Sequence, residues 1–204
     1  MIEFSGRLDK LTAVDDVTLA RLDHKLEQRA TEAGLLDVAF RTIDSPVGPL
    51  LLAATPLGLV RVAYQREGYD AVLQALARKI SPRILAAPRR LDEAAGQFEE
   101  YFAGRRTTFD LALDLRLSAG FRRTVLGHLA AISYGHTESY AEVAAATGHP
   151  GAVRAVGSAC ATNPLPVVVP CHRVVRSDGS LGGYLGGLEV KRMLLELEAA
   201  TPTS

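Results

Sequence analysis

The 204-residue chain has no tryptophan, two methionines, two cysteines and no net charge. Each scarcity excludes something. Cys160 and Cys171 are too few for a disulfide scaffold. In a reducing compartment they are thiols. A balance of 23 basic against 23 acidic side chains excludes a histone-like nucleic-acid binder, though not a local basic face. No apolar run approaches the roughly 20 residues a membrane helix needs. The first ten residues, MIEFSGRLDK, hold no apolar core for a signal peptide. A cytoplasmic protein with no membrane partner is expected. Hydrophobic residues at 48% and charged residues at 23% exclude disordered and fibrous classes. One domain or two small ones are expected, burying roughly 70% of the unfolded surface.

What is present changes character along the chain. In residues 1–36, Leu19, Leu22, Leu26, Ala30 and Ala33 keep near-helical spacing and Gly34 is a stop. This is a helical extension, packed on the body or loosely attached. From Val38 the period becomes two. Val38, Phe40 and Thr42, then Leu50 to Ala54, then Leu59 to Tyr64 read as strands. The turns Ser45-Pro46-Val47-Gly48-Pro49 and Pro56-Leu57-Gly58 join them as an antiparallel meander. Two helices follow, marked by Val72, Leu73, Leu76 and Ile80, and by Leu91, Ala94, Ala95, Phe98 and Phe102. Phe109 to Leu117 alternates as a half-buried strand or extended linker, with Asp110 and Asp114 outward. Ser118-Ala119-Gly120 marks a boundary, giving segments 1–36, 37–117 and 118–204.

The last segment reads as mostly helical. Phe121, Val125, Leu129 and Ile132 form a stripe. Ser139 and Glu142 fit a capping box that opens a short helix at Tyr140. After Gly148-His149-Pro150-Gly151, a second helix of small residues runs from Ala152 to about Ala161, a helix-turn-helix pattern. Val167-Val168-Val169 reads as a buried strand-like run. A glycine-rich loop, Gly182 to Gly187, precedes a final helix from about Leu188 to Glu198. From Phe121 to Arg176 the chain carries Arg122, Arg123, Arg154, Arg173 and Arg176 against Glu138 and Glu142, a surplus of three positive charges.

Cys171 is the first candidate for chemistry. Pro170 precedes it, and His172 and Arg173 follow. Positive neighbours favour thiolate, the nucleophilic form. The plainer alternative is a buried structural cysteine. Zinc is not expected: Cys160 and Cys171 are eleven apart, with no Cys-x-x-Cys and no His-x-x-x-His pair. Gly182 to Gly187 lacks a phosphate loop's lysine and serine. Around Cys171 lie Asn163, Tyr140, Tyr184 and Arg154, and Glu198 is within reach of the His172 imidazole.

Taken together, Pro-Cys-His-Arg-Val-Val (170–175), Arg-Ala-Val-Gly (154–157), Asn163-Pro164 and Tyr184-x-Gly-Gly-Leu188 resemble the O6-alkylguanine-DNA alkyltransferases, or methylated-DNA–protein-cysteine methyltransferases. The resemblance spans Phe121 to Glu198. Asp37 to Leu117 resembles the family's variable N-terminal domain less strongly. It implies an α+β fold: a ribonuclease-H-like α/β domain with a small antiparallel sheet, then a mostly helical, winged helix-turn-helix-like domain. It implies double-stranded DNA carrying O6-alkylguanine as partner, bound from the minor-groove side, with the damaged base flipped out. Cys171 matches the alkyl acceptor, used once. His172 and Glu198 match its proton relay, Tyr184 a donor to guanine N3, and Asn163 a brace around the acceptor. Arg154 matches an arginine finger and Tyr140 a residue pushing the 3′ phosphate; Ser139, Arg122, Ala155, Gly157 and Arg173 complete the expected DNA face. No cofactor and no metal are expected, and the protein is expected to be a monomer, with cooperative assembly on DNA left open.

Three departures from the family pattern stand out. Leu126 replaces a common tryptophan, Cys160-Ala161-Thr162 replaces a polar, glycine-containing stretch with a basic residue, and Leu185 replaces a small residue. The N-terminal zinc ligands of some members are absent. Other readings are a lesion-sensing relative without transfer chemistry, against which Cys171 argues; a sequence-reading helix-turn-helix factor, against which the small-residue helix argues; and a thiol hydrolase.

Overall fold

The structure, a computed structural model, describes residues 15–200. The start of the expected 1–36 extension, and the side chain of Leu19, lie outside the described residues. Helix α1 (Asp16–Glu32) is followed by Gly34 in the left-handed conformation, as a glycine stop requires. Its leucine face does not turn inward: Leu22 and Leu26 are half exposed, while Glu27 is buried and Ala30 packs on the core.

Strands β1 (Val38–Ile43), β2 (Leu50–Thr55) and β3 (Gly58–Tyr64) form the expected antiparallel meander. Gly58 is required where the chain re-enters the sheet. Its φ is +134°, and a Cβ there would collide with the Ala112 carbonyl. The sheet is not purely antiparallel. Helix α2 (Tyr69–Lys79) carries the chain to β4 (Ile84–Ala86), which pairs parallel with β1 and gives the order β3-β2-β1-β4. Three residues between Pro82 and Pro88 are too short to show alternation, so the sequence reading missed this strand.

Strand β2 is buried on both faces, which explains its unbroken apolar run. On one face, Leu51, Ala53, Val60 and Ala63 meet Val72 and Leu76 of α2. On the other, Leu50, Leu52 and Val62 meet Ala94, Phe98 and Tyr101 of helix α3 (Asp92–Phe102). Each fully buried side chain of this kind contributes roughly 1.5–3 kcal/mol. Residues 109–117 are extended but do not form a strand. They dock on β3 through one parallel bridge, Leu59 with Leu113, and end in a single 3-10 turn at Leu115–Leu117. Asp114, expected outward, is buried: it accepts from the Thr55 hydroxyl at 2.6 Å and from the Arg116 amide.

The C-terminal half contains α4 (Gly120–Leu129), β5 (Glu138–Ser139), α5 (Tyr140–Ala146), α6 (Val153–Ala161), β6 (Val174–Val175) and α7 (Leu188–Ala200). Helices α5 and α6, joined by a turn with Gly148 at φ +77°, are the helix-turn-helix. The capping box forms as expected. Ser139 Oγ accepts the Glu142 amide at 3.1 Å, and the Ser139 amide donates to Glu142 at 2.6 Å. Strands β5 and β6 pair in parallel, two residues each. Val167 to Val169 is no strand. Val167 sits at φ +74°, a costly conformation for a β-branched residue.

The two halves share one core. Leu50, Leu52 and Phe98 belong to the same cluster as Val125, Leu126, Leu129, Val156, Leu165 and Leu194. Leu126 is 1% exposed and fills the place where tryptophan is common. The β3 backbone also reaches across: the Val62 amide donates to the Pro164 carbonyl at 2.9 Å, and Arg61 donates to the same oxygen at 3.2 Å. The end of β3 is thereby fixed beside the Asn163-Pro164 turn.

Candidate active site

Cys171 begins a single 3-10 turn, Cys171–Arg173, entered from Pro170. The residue is 1% exposed. Its sulfur accepts from Asn163 Nδ2 at 3.2 Å. The same amide donates to the Val169 carbonyl at 2.8 Å, while Asn163 Oδ1 accepts the Leu165 amide at 3.0 Å. One buried side chain therefore braces the strained 165–169 turn and holds the sulfur. Burial pushes the thiol up to about 11, with the Asn163 hydrogen bond opposing. The expectation of a thiolate favoured by positive neighbours is corrected here: the resting group is a thiol, and the neighbouring guanidinium is committed elsewhere. Cys160 is buried in α6, where desolvation raises its thiol to about 12.

That guanidinium is Arg173. It is 6% exposed, donates through Nε and Nη2 to both carboxylate oxygens of Glu198 at 2.9 Å, and donates through Nη1 to the Ile132 carbonyl. It also lies over the Tyr134 ring, 5.6 Å from its centroid. Expected on the DNA face, Arg173 is instead an internal cation with each of its three guanidinium nitrogens in a hydrogen bond.

His172 is 0% exposed, and Nε2 lies 2.8 Å from Glu198 Oε1. Facing a carboxylate, Nε2 carries the proton, which leaves the lone pair on Nδ1. Nδ1 has no hydrogen-bond partner among the described residues. Burial lowers the imidazole below the ordinary histidine range despite Glu198, so it is a neutral base at rest. Glu198, on α7, accepts in addition from the Tyr101 hydroxyl at 2.6 Å and the Gly135 amide at 3.1 Å. Burial raises its carboxyl, but the His172 and Arg173 hydrogen bonds outweigh that and hold it well below the usual carboxylate range.

Tyr184 is partly buried in the glycine-rich loop, its ring edge-on to His172 at 6.4 Å. Burial raises its phenol well above the ordinary value. Tyr140, the first residue of α5, packs against the same loop. A Cβ on Gly182 would lie 2.8 Å from Tyr140 Cε2, so only glycine allows this approach. Burial raises the Tyr140 phenol to about 12.

Arg154 and Ala155 are exposed on the first turn of α6, Gly157 is half-buried on that helix, and Arg122 is exposed on α4. Ser139, expected on the DNA face, is buried as the cap of α5, its hydroxyl taken up by the Glu142 amide. Sequence reasoning missed Tyr101, Tyr134, Gly135, Lys191 and Tyr64. Lys191 carried a signal. With Leu194 and Glu198 it forms an inward row on α7, and its Nζ donates to the Val174 carbonyl, 5.9 Å from the Tyr140 ring centroid. A cleft of about 420 Å³ between α2 and the 161–164 turn is lined by Asn163 and Leu185 but not by Cys171.

The site therefore combines a buried thiol held by a rigid donor with, at the next position in the chain, a neutral imidazole oriented by a saturated carboxylate. Residues 38–115 match the model of the 6-O-methylguanine DNA methyltransferase ribonuclease-like domain, and residues 120–200 that of the same family's DNA binding domain. A methylated-DNA–protein-cysteine methyltransferase of Mycobacterium tuberculosis is 42% identical over 161 residues, covering 79% of this chain and 92% of the relative. One from Methanosarcina barkeri is 40% identical over 156 residues, covering 76% and 94%. A crystal structure of Mycobacterium tuberculosis OGT in complex with DNA superposes with a TM-score of 0.70 at 41% identity, covering 81% of this chain and 96% of that one.

Proposed function

Because the chain belongs to the 6-O-methylguanine DNA methyltransferase family, we propose that it repairs O6-alkylguanine in duplex DNA by moving the alkyl group irreversibly to Cys171. One observation carries this reading. The Cys171 sulfur is held by Asn163, and the next residue in the chain, His172, is oriented by Glu198, supplying the two groups, thiol and base, that nucleophilic transfer requires.

The helix-turn-helix meets the DNA. The small side chains of α6, with Ala155 and Gly157, let the backbone approach closely, and exposed Arg154 fills the stack when the lesion rotates out. Tyr140 leans on the adjacent 3′ phosphate. Flipping costs a few kcal/mol, less for a poorly paired lesion. In the pocket, His172 Nδ1 receives the thiol proton through a water, and Glu198 stabilises the imidazolium that forms. The sulfur–carbon bond forms as the bond from carbon to guanine O6 breaks. The electron pair stays on the base, which gains a proton at N3 from Tyr184. Return of the imidazolium proton through water to the phenolate closes the balance: the thiol has lost one proton and the base has gained one. Among the described residues, none around Cys171 is assigned a role in removing the alkyl from the thioether, so each molecule is expected to act once.

The test is the intact mass after incubation with a duplex containing O6-methylguanine, followed by peptide mapping. The expected result is a gain of one CH2 on Cys171, saturating at one equivalent, and no gain in Cys171→Ser. A duplex bound without any mass change overturns transfer and favours lesion sensing. Repeated turnover on an ester or peptide favours a hydrolase.

A further inference from the structure

The cleft of about 420 Å³ between α2 and the 161–164 turn does not include Cys171, and the transfer described above leaves it without a role. Its lining draws on both halves of the chain. The N-terminal half supplies Lys79, the last residue of α2, together with Arg61 and Glu67. The C-terminal half supplies Arg122, in the first turn of α4. Leu76 and Leu117 are among its apolar walls. The four charges do not count alike. Arg61 and Glu67 pair with each other, and Arg61 also donates to the Pro164 carbonyl at 3.2 Å. These two cancel. Lys79 and Arg122 are exposed, and among the described residues neither has a hydrogen-bond or ion-pair partner. Among the described residues that line the cleft, Glu67 is the one acid, so two positive charges stay uncompensated. A cleft of one sign with apolar walls focuses its field and concentrates anions.

The cleft's position selects the anion. Ala161, the last residue of α6, and Thr162 belong to the same lining. From Ala155 to His172 the chain holds no lysine or arginine, so the far end of α6 has no cation of its own. That end lies roughly 12 Å from Val153 along the helix, the length of three to four base-pair steps. A duplex seated on Arg154 therefore extends to the cleft. We propose that the cleft binds the sugar-phosphate backbone of the duplex, with Lys79 of the N-terminal half supplying the cation that the end of α6 lacks. The inference rests on the reading of α5 and α6 as the elements that meet DNA. Arg122 offers a planar fork that holds two phosphate oxygens, and Lys79 a point charge on a flexible stem. Contacts of this kind fix position on the duplex and are independent of its sequence.

The experiment is the Kd of the full chain for an undamaged duplex from about 0.1 M to about 1 M salt, with the thermal midpoint of each protein measured beside it. Lys79→Ala is expected to raise Kd about 3- to 8-fold at the low end and to approach the unsubstituted protein at the high end, since one phosphate contact changes affinity about eightfold per tenfold change in salt. Lys79→Arg is expected to restore the affinity. Arg78, the preceding residue on α2, is exposed but does not line the cleft, so Arg78→Ala separates a local contact from a general loss of charge and is expected to leave Kd within about twofold, the range of a weak exposed charge. An unchanged Kd in Lys79→Ala overturns the proposal. So does an equal loss in Arg78→Ala, or a loss in Lys79→Ala that stays constant across the salt series. Absence of duplex binding by the unsubstituted protein overturns the DNA reading and this proposal with it; binding by that protein which Lys79→Ala does not weaken overturns this proposal alone.

Discussion

Glu198 carries more of the site than its place near the chain's end conveys. Its two oxygens accept five hydrogen bonds, from His172, Arg173 twice, Tyr101 and Gly135. A buried ion pair broken on one side leaves the other charge uncompensated, at a cost of about 3–5 kcal/mol. Glu198→Gln is therefore expected to lower stability by about that amount, read as a fall in the urea midpoint at unchanged slope. The pH dependence has two stages. His172 is held below its ordinary value, so on acidification the unfolded chain takes up this proton first, and stability declines from about pH 6.5. The Glu198 carboxyl is depressed, so its contribution is complete above about pH 4.3 and is lost as pH falls through its folded value. Denaturation curves from pH 8 to 3 check this; a stability flat from pH 7 to 5 would contradict a buried neutral His172. The transfer rate should correspondingly hold its neutral-pH value as pH drops past about 6.5. Cys171, His172 and Glu198 were legible because their spacing matches a known pattern. The role of Arg173 was not. A sequence gives its charge but not its partners, and Tyr101 lies 97 residues from the carboxylate they share.

The elements divide by how local their causes are. Strands β1 to β3 and the capped α5 were legible, since alternation, turn residues and a capping box act within a few residues. Strand β4 was hidden because its existence depends on β1, more than forty residues earlier. The 167–169 run was misread because three valines look alike in a strand and in a turn forced by Asn163. Helix α6 offers the sharpest element-level test. Arg154 is exposed on its first turn. Removing the proposed finger should raise the flipping barrier and leave the pocket intact. Loss of about 1.4 kcal/mol of flipping free energy is tenfold in rate. Arg154→Ala is expected to slow repair of a duplex at least about tenfold, while transfer from free O6-benzylguanine keeps its rate. Equal losses on both substrates would place Arg154 in the fold or the pocket instead.

At the scale of the whole molecule, zero net charge conceals an uneven surface. The surplus of three positive charges between Phe121 and Arg176 counts Arg173 and Glu142 as equals, but the structure separates them. Arg173 is neutralised inside by Glu198, and the Glu138 carboxylate lies 2.6 Å from His128. Four arginines, Arg122, Arg123, Arg154 and Arg176, remain exposed. All four lie in the half that matches the family's DNA binding domain, and the face they are proposed to present to DNA is tested by salt dependence. Each phosphate neutralised on duplex DNA releases counterions and contributes about −0.9 to the slope of log K against log salt. Four arginines set that slope at about −3 to −4, modest beside strongly basic binders. Titration of an undamaged duplex between low and moderate salt measures it, and Arg154→Ala should make it shallower by about one. A slope near zero would remove the arginine face from DNA binding. A slope much steeper than −4 would require cations outside it, with the exposed Lys79 beside the cleft near Asn163 the first to substitute.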